Sequence, residues 1–297
     1  MQAVAPSEVS GPKKHRARGV SAPWVLSAPA MIFVSLFLLV PLVIMLRLSV
    51  SKYDPAEMYL QVFTAENYVK FFTDSFYRHV LWTTLLVSGV TTFLCLIGGL
   101  PVAYFISRSP SDLLKRVLII AVVLPLLMGS VVRTAGWIIV LDNSGVLKFT
   151  LSYLGLLVDT PLLFTTGAVI AGLTSVLLPF MIITLHSVME AIDPALEEAS
   201  SSLGATPLTT FRRVVLPLLI PGILAGCVLC FILSMNAYAT PVLLGGPQFH
   251  MMAPKVYEQI AKSMNWPFGA ALAFVLISVT ALLTVASSLA FGRKTRA

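Results

Sequence analysis

Six long apolar stretches alternate with shorter polar ones along the 297 residues. Trp24–Leu46, Val80–Ile106, Val117–Val140, Leu162–Val188, Leu218–Ala239 and Phe268–Phe291 are each predominantly apolar. Each is long enough for a helix rising about 1.5 Å per residue to cross about 30 Å of hydrocarbon. The pattern predicts an all-α integral membrane protein with six transmembrane helices. Pro29 and Pro41 mark places where the first could bend, and Pro179 sits inside the fourth. A proline there frees carbonyls one turn back, so a kink facing protein is expected, with neighbouring helices or water as partners. In the fifth, Gly222-x-x-x-Gly226 lets another helix approach closely.

The polar segments set the topology. Residues 1–22 are polar, with a basic cluster from Lys13 to Arg18, and are expected to form a disordered cytoplasmic tail. Trp24–Leu46 is longer than the apolar region of a cleavable signal peptide, so the membrane domain begins near residue 23 and runs to 292, before a short tail at 293–297. Residues 47–78 mix Lys52, Lys70 and Arg78 with Asp54, Glu57, Glu66 and Asp74 among many aromatics. They read as an external segment lying at the interface, with a short amphipathic helix near Ala65–Phe72. Arg108, Lys115 and Arg116 belong to a short internal loop, residues 141–161 to an external one, and residues 240–267 to an external or re-entrant one. Twelve of the twenty Lys and Arg fall in segments assigned inside and seven outside, with Arg133 apart. That bias places both termini and the loop 193–217 in the cytoplasm.

Composition agrees. The chain is 57% hydrophobic and 11% charged, with mean hydropathy +0.91, against about a quarter charged in soluble domains. A formal charge of +7 would suggest nucleic acid for a soluble protein; here cations flanking membrane spans account for it, and no nucleic-acid partner is expected. Cys95, Cys227 and Cys230 all lie in apolar runs, which suits small buried side chains rather than a disulfide framework or a metal site.

The polar stretch Asp193–Gly222 separates two of the apolar runs. Asp193-Pro194 starts a helix, Glu197 and Glu198 occupy its first turn, Gly204 can take the left-handed conformation that ends it, and Thr206-Pro207 starts another. A short helix, a glycine turn and a second helix at a membrane surface suit docking into a cleft on a partner. Glu198-Ala199-Ser200, Gly204, and then Val214, Leu216 and Pro217 resemble the EAA loop of bacterial ABC-importer permeases at the family's own spacing, with Ser200 for Ala and Val214 for Ile. Arg133-Thr134-x-x-Trp137 and the run from Leu233 to Pro247 are similar to segments of the spermidine/putrescine-type permeases.

The resemblance implies the type I importer permease fold, in the bacterial plasma (inner) membrane. It implies a second permease subunit, a non-identical homologue of this chain, with two copies of an ATP-binding subunit and an extracytoplasmic substrate-binding protein. The ATPase-docking residues would be Glu197, Glu198, Ala199, Ser200, Leu203, Gly204 and Ala205, with Glu198 meeting a basic group. ATP and Mg would sit on the partner, with no cofactor, metal or catalytic residue on this chain. The cargo would be a small organic amine, a polyamine, an opine or similar.

The substrate pathway has five candidates. An arginine in hydrocarbon is costly, so Arg133 either faces the interior as a pathway or gate residue or reaches the outer headgroups beside Trp137 and Asp142. Ser234, Asn236 and Tyr238 could line the pathway, but at i, i+2 and i+4 they share no single face; interhelical hydrogen bonding is the other reading. The chain has no Gly-x-x-x-x-Gly-Lys-[Ser/Thr] phosphate loop, and all thirteen acidic residues fall in tails, loops or helix ends. Neither ATP hydrolysis by that route nor an intramembrane proton relay is supported, so energy must enter from a partner. A self-contained secondary transporter is the rival; a membrane enzyme or scaffold finds no supporting constellation.

Overall fold

A computed structural model of the chain describes residues 21–153 and 161–292. Nearly all of the expected N-terminal tail, the C-terminal tail and residues 154–160 of the 141–161 loop lie outside those residues. Helix α1, Ser21–Ser49, runs through both Pro29 and Pro41 and is apolar on every side, the composition of a helix surrounded by lipid or by other apolar helices. The chain divides into two units after Arg47, and the second holds all the remaining elements.

The segment expected as a plain interfacial stretch holds a β-ribbon as well as a helix. Strands β1 (Ser51–Asp54) and β2 (Met58–Phe63) pair antiparallel, with Lys52 opposite Leu60 and Asp54 opposite Met58. The Asp54 carboxylate accepts from the backbone N–H of Ala56 at 2.7 Å and of Glu57 at 3.1 Å, closing the turn. Helix α2, Glu66–Thr73, is the expected amphipathic helix shifted by one residue. Its buried Asn67 donates to the carbonyls of Ser49 and Ser51, both at 2.9 Å.

Helix α3, Ser75–Ser107, is the second span. The third apolar stretch is not the single helix expected at 117–140. Helix α4, Asp112–Val123, ends in a 3-10 turn at Leu124–Leu127, and helix α5, Ser130–Leu141, leaves at 96° to it. Pro125 and Gly129 explain the break: proline cannot continue the hydrogen-bond ladder, and Met128 and Gly129 are extended. Helix α6 covers Val146–Tyr153. Helix α7, Thr166–Glu190, is the fourth span, starting four residues later than expected. Helices α8 (Ala195–Ser202) and α9 (Pro207–Thr210) form the polar hairpin, and a π turn at Phe211–Val215 leads into α10, Leu216–Met235. Helices α11 (Ala239–Gly245) and α12 (Met252–Tyr257) precede α13, Trp266–Gly292. Among the described residues five helices are long and apolar enough to cross a membrane, six when the bent pair counts as one span.

Helices α3, α7 and α10 pack around Cys95, Met181, Leu185, Leu219 and Cys230. Close approach relies on missing side chains. A Cβ at Gly99 would lie 2.9 Å from Met181 Cγ, and one at Gly222 2.9 Å from Val188 Cβ. The buried Pro179 leaves α7 continuous. In the turns before it, Cys95 Sγ reaches the Thr174 carbonyl at 3.7 Å, Arg133 Nη1 the Val176 carbonyl at 3.4 Å and Cys230 Sγ the Leu177 carbonyl at 3.7 Å. These carbonyls flank that of Ser175, the one from which Pro179 withholds its N–H, and the expected kink gives way to an unbroken helix packed against three neighbours. Two of the three cysteines are buried here as free thiols.

Candidate functional site

The polar hairpin is built by local chemistry. Asp193 Oδ1 accepts from the Ala195 N–H at 2.9 Å, occupying one of the first free donors of α8. The hydroxyls of Ser201 and Ser202 donate back to the Glu197 and Glu198 carbonyls at 2.9 and 3.0 Å. Gly204 then turns the chain with φ +84°. A Cβ there would meet nothing within 4 Å, so the backbone conformation, and not crowding, calls for glycine. Thr206 caps α9, its hydroxyl accepting from the Thr209 N–H at 3.4 Å, with Pro207 in the first turn. Ser200 and Thr210 close the hairpin through their hydroxyls at 3.0 Å. Because α9 runs through the π turn into α10, the second arm of the hairpin and the fifth span are one body, Pro207–Met235.

The two adjacent glutamates diverge. Glu197 is turned inward, and Arg108 holds its Oε1 through both Nε and Nη2 at 2.6 Å. Its Oε2 accepts from the Tyr104 hydroxyl at 2.9 Å. Glu198 is exposed, as are Ala199, Leu203 and Gly204, while Ser200 and Ala205 are half-buried. Leu203 and Leu208 are 90% and 76% exposed, two large apolar side chains presented beside a carboxylate on an otherwise polar hairpin.

Beneath the hairpin the ends of three helices are joined. The Ser107 hydroxyl and His186 Nδ1 lie 2.7 Å apart, His186 Nε2 lies 3.6 Å from Glu190, and Lys115 donates to Glu190. Arg108 Nη2 also reaches the Ile192 carbonyl at 3.4 Å.

The five pathway candidates do not converge. Arg133 donates to the carbonyls of Pro125 and Met128 (the latter at 3.0 Å) and to Val176 at 3.4 Å. Trp137 Nε1 donates to the Ser175 hydroxyl at 2.7 Å. Both residues therefore face α7 across the break in the third span. Ser234 is fully buried, and its hydroxyl lacks a partner among the described residues. Asn236 is exposed and donates to the Ile232 carbonyl at 2.9 Å. Tyr238 lies at the end of the bundle away from α8, its ring 4.9 Å from that of Tyr257. It helps to line a cavity of about 600 Å³ with Phe249, His250, Lys255, Glu258 and Lys262. There Lys255 pairs with Glu258 at 2.7 Å. Burial, with Lys255 beside it, holds the His250 imidazole below its ordinary pKa, against the opposing pull of Glu258.

Sequence reasoning missed the partners of Glu197. Tyr104 and Arg108 precede it by 93 and 89 residues, and a basic residue just past a span reads only as a topology signal. It also missed the cavity around Tyr238, which forms only when α11, α12 and the π turn after α12 fold together.

The sequence profile of the family described as binding-protein-dependent transport system inner membrane component matches residues 95–296. The chain is 37% identical over 248 residues to the spermidine/putrescine transport system permease protein PotB of Haemophilus influenzae, covering 83% of this chain and 86% of that one. It is 35% identical over 250 residues to PotB of Escherichia coli, covering 84% and 90%. Among solved structures it superposes on a bacterial ABC transporter that imports the acidic polysaccharide alginate, with TM-score 0.76 at 20% identity, covering 92% of this chain and 97% of that one. It also superposes on the MetNI methionine ABC transporter in an inward-facing form, with TM-score 0.56 at 22% identity, covering 71% and 92%. At these identities the superpositions bear on the fold.

Proposed function

The chain belongs to the family of binding-protein-dependent transport system inner membrane components and is a permease subunit of an ABC importer, and from that premise we propose that it passes a polyamine or a similar small organic amine across the membrane. The relatives named for spermidine and putrescine, alike over most of both chains, support that cargo class. Its energy comes from a separate ATP-binding subunit that carries ATP and Mg, with two such subunits serving this chain and a second, homologous permease. A binding protein delivers the cargo at the face opposite the hairpin. The hairpin faces the cytoplasm, and so do both termini.

The observation that carries this reading is the hairpin itself. It is a rigidly capped polar helix bearing an exposed carboxylate on Glu198 and two exposed leucines, and its second arm is continuous with a span. An ATPase that grips α8 through a basic group on Glu198 can move the bundle as ATP closes the motor. Glu198→Arg is expected to release the ATPase from the purified complex and abolish uptake, while the permease still accumulates in the membrane. Wild-type uptake by that variant would remove the docking role.

The cargo proposal meets a physical demand. A polycation crossing the bundle needs carboxylates or aromatic faces, and this chain places its acids outside the apolar stretches. The second permease supplies them in this reading. Uptake by the whole complex, challenged with spermidine, putrescine, opines and amino acids, should be suppressed by the polyamines first. Competition by amino acids alone would displace the polyamine assignment.

A further inference from the structure

We propose that the Glu197 carboxylate is the link through which movement of α8 is passed to α3, the second span, with Arg108 and Tyr104 as the positioning residues that hold it. This deepens the docking reading above and rests on it. Glu197 and Glu198 are neighbours in one turn, and a helix turns about 100° per residue, so the two side chains point in different directions. The structure aims Glu197 at the end of α3, where its two oxygens take three donors from Arg108 and Tyr104 between 2.6 and 2.9 Å.

Three routes lead from α8 into the membrane. One is the four-residue linker 191–194, which joins it directly to α7. A second runs on along the chain, across the Gly204 turn and into α9 and α10, helped by the neutral Ser200–Thr210 hydroxyl pair. The third runs through Glu197 to α3. Charge-assisted, two-pronged bonds are roughly twice as strong as neutral ones and fix orientation as well as distance. The ion pair is also largely sheltered, with side-chain exposures of 18% for Arg108 and 17% for Glu197, so solvent screening weakens it less than a surface pair. A glycine turn, by contrast, is the most compliant joint a backbone offers.

The end of α3 is in turn fastened to its neighbours. Ser107, the residue before Arg108, meets His186 of α7, and Glu190 one turn further along α7 takes Lys115 of α4. The second amine of Arg108 reaches the carbonyl of Ile192, just beyond α7. The ends of α3, α4 and α7 therefore form one plate, and the Glu197 carboxylate joins α8 to it. Displacing α8 drags the second span through Glu197, together with the fourth to which the chain already joins it, whereas the fifth follows through the softer joint.

The test measures uptake per ATP hydrolysed by the assembled complex in proteoliposomes, with the amount of copurifying ATPase measured separately. Arg108→Gln is expected to keep the ATPase bound and hydrolysing while uptake per ATP falls about tenfold, the scale of losing bonds to a charged group. Tyr104→Phe should give a smaller loss. Arg108→Lys, which keeps the charge, should retain most of the coupling. Exchanging the charges, Arg108→Glu together with Glu197→Arg, should recover part of what Arg108→Gln loses. Wild-type coupling in Arg108→Gln, or a lysine variant as defective as the glutamine one, would overturn the proposal. Loss of the ATPase from the Arg108→Gln complex would count against it equally, because the residue would then shape the docking face. The docking reading fails separately, if Glu198→Arg leaves the ATPase bound and uptake intact.

Discussion

Arg133 shows how one side chain offered as a transport residue can also hold structure together. Its guanidinium covers carbonyls at the break in the third span, those of Pro125 and Met128, and the carbonyl of Val176 in the turn before Pro179. A polar group left without a partner in hydrocarbon costs several kcal/mol, on the order of a lost hydrogen bond or more, and a planar cation with five donors can serve several carbonyls at once. A staple of this kind predicts a stability effect before a transport effect. Arg133→Gln should destabilise the detergent-solubilised complex by about 1–3 kcal/mol, read as a lower melting temperature. A variant that melts with the wild type but loses uptake would return Arg133 to the pathway. The sequence placed this charge inside a span and so named its problem; it could not say which carbonyls would answer it, because they lie on two other elements.

At the scale of elements, the apolar stretches became helices where the sequence expected them, and the differences have local causes. The third stretch breaks at Pro125 and Gly129, residues that were legible as breakers but lay inside an otherwise unbroken apolar run. Apolarity reports burial in lipid or protein and is silent on direction, so a bent pair and a straight span look alike. The ribbon at Ser51–Phe63 was hidden for a different reason. Its turn chemistry is plain in Asp54-Pro55, but its aromatic residues suit an interfacial segment as well as a strand. The hairpin of α8 and α9 was read nearly residue by residue, because caps, a left-handed glycine and a proline at a helix start are all local devices.

For the whole molecule, the hairpin serves an importer only if it lies on the side of the membrane where ATP is. A cysteine placed at Ser202, in a chain whose Cys95, Cys227 and Cys230 are first replaced, should resist a membrane-impermeant thiol reagent in intact cells and react in inverted vesicles. Labelling from outside would reverse the topology and end the docking reading with it. The sequence alone determined that the chain lives in lipid, where its apolar stretches lie, and where a capped polar hairpin interrupts them. Those properties depend on hydropathy along the chain and on hydrogen bonds between near neighbours, which order along the sequence specifies. Only the tertiary structure decided that Glu197 turns inward and Glu198 outward, that Arg133 reaches the Val176 carbonyl of α7, and that the cysteines sit against carbonyls before Pro179. Each of those outcomes joins residues 43 to 89 positions apart. Which partner lies across such a distance is fixed by how helices pack, and periodicity carries no record of that.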